Sequence, residues 1–311
     1  MENVIENIKE LKTKKSAIIL VHNYQRPEIQ DIADYIGDSL GLSKKASELT
    51  CKLIIFCGVK FMAESAKILS PQKKVILPNK QAGCQMADMV TVDELKQLKS
   101  KHPDAAVVCY VNTNADVKAE CDVCCTSANA VKVVQNIEAK KIIFVPDKNL
   151  ANYVQRFTDK EIIPYNGYCY VHEKITPEDV KQARQIHKEA VIIVHPECRK
   201  EVIDLVVAER KSCSGGTDEV LSTDGMIRYA KSSNAKKIIV GTEEGILYRL
   251  KKENPDKLFY TLGPARMCKN MKLTTLSDVY FALLEEQYEI EIDEQIKDRA
   301  KRALDKMLDY T

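Results

Sequence analysis

Cysteines are the residues of this chain with the most evident chemical potential, and the sequence contains 11 of them. Three are crowded into the stretch AECDVCCTSANA, where Cys121 and Cys124 have the Cys-x-x-Cys spacing of many metal and redox sites and Cys125 follows directly. Three others each stand alone at the end of a loop, and these are Cys84, Cys169 and Cys268. The elements around each set decide which of the two could hold a metal.

The elements that lead to the isolated cysteines recur three times in the same order, which argues against a chance alignment of alternating strands and helices. The first apolar runs are SAIILVHNYQ (16–25), DAAVVCYVNT (104–113) and EAVIIVHPEC (189–198). The second are CKLIIFCGVKFMAES (51–65), AKKIIFVPDKNLANY (139–153) and AKKIIVGTEEGILYR (235–249). The third, each ending in an isolated cysteine, are KKVILPNKQAGC (73–84), KEIIPYNGYC (160–169) and KLFYTLGPARMC (257–268).

Amphipathic segments between the apolar runs predict helices, and TVDELKQLKSKHP and TPEDVKQARQIHKEA each begin with a threonine that could cap one. Buried strands that alternate with helices are typical of parallel sheets. The sequence therefore predicts an α/β protein of three similar three-layer αβα domains around a pseudo-threefold axis, with the site at the centre. We expect domains at 1–84 with the C-terminal helices of 275–311, at 85–169 and at 170–274.

Polar side chains stand at the ends of the first apolar runs, where parallel sheets bind ligands. They are His22, Asn23 and Tyr24, then Tyr110 and Asn112, and finally His195 and Glu197. A single histidine or tyrosine there could equally be a hydrogen-bonded core residue. Three such ends at equivalent positions favour a shared binding site.

A hydroxyl follows each strand end, before the next predicted helix. Ser39 follows His22 by 17 positions, and Ser127 follows Tyr110 by the same 17. Thr223 is the third, and its larger separation from His195 indicates an insertion of about 11 residues within AERKSCSGGTDEV. Helix starts attract carboxylate and phosphate, so three together predict a small polyanionic substrate, although one such serine is usually a structural cap.

The three isolated cysteines lie at equivalent points and could therefore converge on one axis. Three thiolates are one fewer than a closed zinc site or a fully ligated cubane cluster contains. A [4Fe-4S] cluster on three cysteines would leave one iron open as a Lewis acid. The alternative is three buried loop cysteines without a ligand.

Composition limits the class of protein. A net charge of +2 in 311 residues argues against nucleic-acid binding through phosphate neutralisation. The N-terminal stretch lacks the order of a signal peptide, and no apolar run approaches the length of a membrane span. We expect a cytoplasmic protein with reduced thiols that contacts neither nucleic acid nor a membrane.

The chain resembles the quinolinate synthase family over about residues 16–280. The resemblance is carried by HNYQ, GDSLGLS, FMAESAKIL, PNKQAGC, YVNTNADVKA, CTSANA, GYCYVH, HPEC, STDGM, GTEEG and CKNMKLTTL. It implies a three-domain α/β fold, an oxygen-sensitive [4Fe-4S] cluster, and condensation of iminosuccinate with dihydroxyacetone phosphate. The products would be quinolinate, phosphate and water, on the way to NAD, with hand-over of iminosuccinate from the enzyme that supplies it.

Carried over residue by residue, the resemblance implies that Cys84, Cys169 and Cys268 ligate the cluster. Substrate contacts would fall on His22, Ser39, Tyr110, Val111, Asn112, Ser127, His195, Pro196, Glu197 and Thr223. The insertion, and Leu221 where glycine is common, leave Thr217 as the alternative to Thr223.

Removal of a proton beside a carbonyl requires a base, and Glu197 is the candidate. His195 and Tyr24 would shuttle protons, while His22 would hold a carboxylate. Two interpretations of His172 remain, a role beside the site and simple exposure to solvent. Cys121, Cys124 and Cys125 are expected to pack, with Cys124 or Cys125 at the cavity wall as an alternative.

Other function classes remain open on the residues alone. One is an iron–sulfur hydro-lyase that acts on a small hydroxy acid. A cluster-based sensor is another, although no output surface such as a basic helix-turn-helix is visible. A Rossmann dehydrogenase is disfavoured, because no strand is followed by Gly-x-Gly-x-x-Gly.

Overall fold

Three four-stranded parallel sheets form the framework of the protein. The computed structural model describes residues 2–210, 212–213 and 215–310. The first sheet contains β1 (Ala17–His22), β2 (Tyr35–Gly37), β3 (Leu53–Cys57) and β4 (Lys74–Ile76). The second contains β5 (Ala106–Tyr110), β6 (Val123–Cys125), β7 (Lys141–Val145) and β8 (Glu161–Pro164). The third contains β9 (Val191–Val194), β12 (Glu219–Val220), β13 (Lys237–Gly241) and β14 (Leu258–Thr261).

The strand order is the same in all three sheets. It is β2-β1-β3-β4 in the first, β6-β5-β7-β8 in the second and β12-β9-β13-β14 in the third. All neighbouring strands within these sheets are parallel. The α/β class with three similar sheets is therefore confirmed, and each sheet with its helices is called a unit below.

Helices cover the sheets, as parallel strands require, because both faces of such a sheet must be buried. In the first part of the chain they are α1 (Glu2–Lys14), α2 (Pro27–Gln30), α3 (Ser39–Glu48), α4 (Lys60–Leu69) and α5 (Val92–Lys101). The middle part contains α6 (Ala115–Lys118), α7 (Ala130–Asn136), α8 (Lys148–Gln155), α9 (Tyr170–Glu173) and α10 (Pro177–Ile186). The remaining helices are α11 (Lys200–Glu209), α12 (Thr223–Ser232), α13 (Ile246–Glu253), α14 (Leu276–Glu285) and α15 (Glu294–Leu308).

Local sequence explains where two of these helices begin. Thr91 caps α5 and Thr176 caps α10, each in a capping box with Glu94 and Asp179 respectively. In both boxes the threonine hydroxyl accepts an N–H of the first turn, while the acidic side chain accepts the N–H of the threonine. The predicted threonine starts are thus confirmed.

The predicted insertion in the third unit contains a small hairpin. Strands β10 (Ser212–Cys213) and β11 (Gly216–Thr217) pair antiparallel outside the main sheet. The backbone N–H of Thr217 donates to the hydroxyl of Tyr229 over 2.9 Å. Thr217 is thereby held away from the sheet end, and the side chain of Cys213 lies outside the described residues.

The terminal helices tie units together. Helix α14 packs with α1 on the first sheet. Helix α15 lies between α4 of the first unit and β6 and α6 of the second, and the side-chain amide of Asn129 donates to its Met307 carbonyl over 3.2 Å. The boundaries between the three domains stay a prediction. Within the described ranges, no helix is both long and apolar enough to span a membrane.

Candidate active site

One pocket collects side chains from all three units. Its lining encloses about 780 Å³, part of which is open solvent. The predicted site residues that line it are His22, Tyr24, Ser39, Cys84, Tyr110, Asn112, Ser127, Cys169, His195, Glu197, Thr223 and Cys268. Val111 and Pro196 are not among the lining residues and are buried beside it.

The histidines that end β1 and follow β9 have the same local geometry. His22 Nδ1 accepts the backbone N–H of Tyr24 over 3.2 Å, and His195 Nδ1 accepts that of Glu197 over 3.3 Å. Burial lowers the pKa of each imidazole to about 3, so both are neutral at pH 7. When Nδ1 of a neutral imidazole accepts a hydrogen bond, the proton of the ring is on Nε2. Each histidine can therefore donate a hydrogen bond to a substrate oxygen.

The second unit ends its equivalent strand with a tyrosine. The Tyr110 hydroxyl donates to Glu197 Oε1 across the boundary between the second and third units. Burial, followed by the charge of Glu197, raises the pKa of Tyr110 well above its usual value. The phenol therefore remains a donor throughout the neutral range.

Glu197 is a buried carboxylate that keeps its charge. Burial alone would raise its pKa, but His172, His195 and the Tyr110 hydroxyl hold the pKa at about 2. His172 Nδ1 lies 2.8 Å from Glu197 Oε2, although the ring is not aligned for a good hydrogen bond. The Asn149 amide fixes the backbone by donating to the Glu197 carbonyl over 3.1 Å.

A chain of hydroxyls leads away from Glu197. His172 Nε2 lies 2.7 Å from Thr242 Oγ1, which lies 2.6 Å from the Tyr24 hydroxyl. The same hydroxyl lies 2.9 Å from Thr223 Oγ1. His172 also stacks on His195, with ring centroids 4.6 Å apart. His172 is 2% exposed, which excludes the exposed alternative.

The predicted role of the hydroxyl residues as helix caps is wrong in detail. Ser39 and Thr223 are the first residues of α3 and α12, and the caps are the residues before them, Asp38 and Ser222. Ser127 lies in the turn before α7. Because the preceding residue satisfies a helix N–H in α3 and α12, neither hydroxyl is needed as a cap. Ser39 and Thr223 both line the pocket, and Thr223 Oγ1 contacts the Tyr24 hydroxyl there.

The loops of the three isolated cysteines are tied to one another. Tyr170, which follows Cys169, accepts the backbone N–H of Lys269 over 2.8 Å. Asn270 donates to the carbonyl of Gly83 over 2.8 Å. Tyr165 and Tyr168, just before Cys169, donate to Met89, five residues past Cys84. Each cysteine loop thus contacts the other two.

The donor atoms in the pocket fit a metal group. The donor atoms of Cys169, His172 and Glu197 lie within 4.8 Å of one another, as ligands of a single ion would. Cys84 and Cys268 line the same pocket and are not members of this group. Cysteine thiolates are the ligands that iron–sulfur clusters take, so the pocket contains donors of the type that such a cluster needs.

The crowded cysteines lie elsewhere. Cys124 and Cys125 belong to β6 and are fully buried in the core, and Cys121 packs against it. None of the three is among the residues that line the pocket. Their predicted packing role is confirmed, and the alternative position at the cavity wall is not found.

Several lining residues were not predicted. Asp38 caps α3, Glu243 lies just past β13, and Asn270 lies beyond Cys268. Glu243 stands in GTEEG, one of the stretches that carried the resemblance, and its place just after a central strand is the signal that could have found it.

The comparisons with known proteins agree on one family. The model of the family described as quinolinate synthetase A protein matches residues 6–309. A quinolinate synthase from Alkaliphilus metalliredigens is 52% identical over 308 residues, covering 99% of this chain and 98% of the relative. A quinolinate synthase from Clostridium kluyveri is 51% identical over 306 residues, covering 98% of this chain and 97% of the relative. Another from Methanosarcina barkeri is 52% identical over 305 residues, with the same two coverages. The chain belongs to this family.

Proposed function

We propose that this member of the quinolinate synthetase A family condenses iminosuccinate with dihydroxyacetone phosphate in the central pocket, beside a [4Fe-4S] cluster. Family membership makes the chain an enzyme of quinolinate synthesis in NAD biosynthesis that acts on small molecules. The observation that carries the finer proposal is the convergence of three cysteines, three hydroxyl residues and a charged glutamate from three units on one pocket.

The cluster would be held by Cys84, Cys169 and Cys268, one cysteine from each unit. Three ligands leave one iron of a bound cluster without a protein ligand. That iron would act as a Lewis acid towards oxygen or nitrogen groups of the reactants. The contacts among the three cysteine loops support this ligand set, because they fix the loops relative to one another. A single ion on Cys169, His172 and Glu197 is the competing arrangement.

The substrates are anionic, and the pocket offers neutral donors for them. The hydroxyls of Ser39 and Thr223 lie in the first turns of α3 and α12, where the helix dipole favours negative charge. Ser127 and Asn112 face the pocket from the second unit. A dicarboxylate and a phosphate ester can be bound together only where several such donors converge.

The imidazoles of His22 and His195 would hold a substrate carboxylate through their Nε2 protons. Val111 and Pro196 are not among the residues that line the pocket, so any contact that they make with iminosuccinate would come from their backbone.

Glu197 would take the proton that must leave the carbon beside the carbonyl of dihydroxyacetone phosphate. Its pKa of about 2 makes it a weak base in the free protein. An anionic substrate beside it opposes its charge and raises that pKa, so the carboxylate gains basicity when the site fills. His195 would carry protons to and from the reactants. Tyr24 would do the same, and it is connected to His172 through Thr242.

The experiment is anaerobic purification followed by iron and sulfide analysis, a visible spectrum and an assay for quinolinate. Wild-type protein should contain four irons and four sulfides per chain, while Cys84→Ser, Cys169→Ser and Cys268→Ser should lose the cluster. Cys51→Ser makes the same change outside the pocket and should keep it. A full cluster in any of the three variants, or one iron per wild-type chain without sulfide, would exclude this ligand set.

A second measurement tests the reaction. Glu197→Gln should keep the cluster and lose quinolinate formation by about 10²–10⁴-fold. Turnover should require dihydroxyacetone phosphate, since a simple hydro-lyase would not need it. Wild-type activity in Glu197→Gln would remove Glu197 as the base.

We also propose a cytoplasmic location and hand-over of iminosuccinate from the enzyme that forms it. Free cysteines in the described ranges are typical of proteins in a reducing compartment. Cell fractionation tests the location. The hand-over is tested by whether a competing consumer of free iminosuccinate lowers the yield of quinolinate.

A further inference from the structure

The three cysteine loops can be aligned residue by residue through one repeated hydrogen bond. In each unit a backbone N–H just past the second central strand donates to the carbonyl two residues before the cysteine. The pairs are Lys60 to Ala82 at 2.8 Å, Lys148 to Gly167 at 2.9 Å and Glu244 to Arg266 at 2.9 Å. The residues directly before these donors therefore occupy equivalent positions, and they are Val59, Asp147 and Glu243.

At this position the second and third units have a carboxylate that contacts the cysteine, and the first unit does not. Asp147 Oδ2 accepts the backbone N–H of Cys169 over 3.2 Å. Glu243 Oε1 accepts the backbone N–H of Cys268 over 3.1 Å. The carboxylates are 0% and 1% exposed, so no bulk water competes for them. Val59 has no acceptor to offer to Cys84.

Helix capping does not explain both carboxylates. Asp147 Oδ1 does cap α8, by accepting the N–H of Leu150 over 2.6 Å. The cap of α13, however, is Gly245, and the Glu243 carboxylate accepts the N–H of that glycine over 2.6 Å and pairs with Lys272 at 2.9 Å. Glu243 therefore does not cap the first turn of α13, yet like Asp147 it accepts the N–H of a cysteine.

Each contact leaves little freedom to the cysteine. At Cys169 the loop approaches the chain so closely that a Cβ on Gly167 would lie 2.5 Å from the Pro146 carbonyl oxygen. At Cys268 the Lys272 ammonium that pairs with Glu243 also donates to the Tyr24 carbonyl of the first unit. Each carboxylate also has a second partner, the Leu150 N–H for Asp147 and the Lys272 ammonium for Glu243, and each contacts the backbone from which a thiol projects.

We propose that Asp147 and Glu243 are positioning residues that hold Cys169 and Cys268 in place for the cluster. This inference rests on the proposed ligand set. Cys84 has no equivalent carboxylate, and its loop is held from the third unit by Asn270. Groups that orient metal ligands in this way commonly contribute 10–100-fold to metal retention.

The experiment compares variants that lose the contact with the cysteine N–H with variants that leave that part of the chain unchanged. Asp147→Ala and Glu243→Ala remove the contact. Asp147→Ser keeps one oxygen, enough to cap α8 but not to reach Cys169 as well. Val59→Ala shortens the equivalent side chain where no such bond exists.

The readout is the rate at which anaerobic protein loses iron to a ferrous chelator, together with the melting temperature of the metal-free protein. Asp147→Ala, Asp147→Ser and Glu243→Ala should lose iron about tenfold faster than wild type or more. Val59→Ala should stay close to the wild-type rate. Metal-free Asp147→Ser should melt near the wild-type temperature, which separates cluster retention from folding.

Wild-type rates of iron loss in Asp147→Ser and Glu243→Ala would overturn the inference while leaving the proposed function intact. Fast loss in Val59→Ala would also overturn it, because shortening the side chain at this position would then be enough and the hydrogen bond would not be what matters. A wild-type protein without a cluster would overturn the proposed function, and the inference with it.

Discussion

The Tyr110 hydroxyl of the second unit donates to the Glu197 carboxylate of the third, and both side chains are buried at the edge of the same pocket. The bond crosses between two sheets, so it joins the units where the substrate would bind. It is also one of the contacts that keep a buried carboxylate charged. Hydrogen bonds to charged groups are worth more than neutral ones, which makes this contact measurable.

Tyr110→Phe should destabilise the protein at pH 7 by about 1.5–3 kcal/mol, since the buried carboxylate loses a donor. It should also raise the pKa of Glu197, because the Tyr110 hydrogen bond lowers that pKa. Urea unfolding at pH 7 measures the first effect. Tyr165→Phe is the control, since its hydroxyl donates over 2.7 Å to a neutral carbonyl, that of Met89, and the carboxylate near it, that of Glu94, is exposed to solvent. Equal losses in the two variants would contradict the charge-assisted bond.

Asp38→Asn should stabilise the protein at pH 8. Burial, followed by the charge of Asp224, raises the pKa of Asp38 to about 7, so folding favours its protonated form. The free energy of unfolding is therefore highest below the pKa that Asp38 has in the unfolded chain. It falls as pH rises from there towards 7, by about 1.4 kcal/mol per pH unit. Asparagine carries no charge and still accepts the N–H of Gly41 as a cap.

Unfolding of wild type and Asp38→Asn should therefore give similar stability at pH 4 and higher stability of the variant at pH 8. Asp38→Ala is the control for the cap, and it should lose about 1 kcal/mol at both pH values relative to the asparagine variant. A variant less stable than wild type at pH 8 would show that the Asp38 charge is favourable in the fold.

His22→Gln should make the protein less sensitive to acid. The pKa of His22 falls to about 3 on folding because the ring is buried, so the unfolded chain binds the proton first. The stability that the neutral ring contributes is present above pH 6.5 and falls as pH drops towards 3, by about 1.4 kcal/mol per unit. Urea unfolding between pH 5 and 6.5 should show a slope shallower by that amount in the variant. An unchanged slope would mean that the ring is already charged in the fold.

Much of the pocket was predictable because the repeat aligned residues that sit far apart in the sequence. The apolar runs identified the strands, and a polar residue after a buried parallel strand has few places to lie other than the sheet end. His22, Tyr110 and His195 were found in this way, and so were the three isolated cysteines. Crowding of Cys121, Cys124 and Cys125 carried no such information, because Cys124 and Cys125 are buried in strand β6 and Cys121 packs against the same core.

The remaining features depend on contacts between units, which one sequence does not encode locally. The Asp38 cap was missed because Ser39 beside it looked like the cap. Helix α15 has an apolar face that would suit either unit, and its position between α4 and β6 is decided by packing. Thr242 has no signal of its own, since a threonine after a strand is common, and its importance comes only from the two partners that it joins.

Thr242 therefore gives the most direct test of the hydroxyl chain beside Glu197. Thr242→Val keeps the shape of the side chain but leaves His172 Nε2 without its partner at 2.7 Å and Tyr24 without one of its two. An unpaired buried polar group costs about 1–3 kcal/mol, so urea unfolding should show a loss of that size. If Tyr24 receives protons through this chain, quinolinate formation should fall further than stability explains, while iron and sulfide content stay at the wild-type level. Thr242→Ser restores the hydroxyl without the methyl group and should recover activity. Wild-type turnover in Thr242→Val would show that Tyr24 and His172 take no part in proton transfer. Glu197 and His195 would then be the remaining candidates for that role.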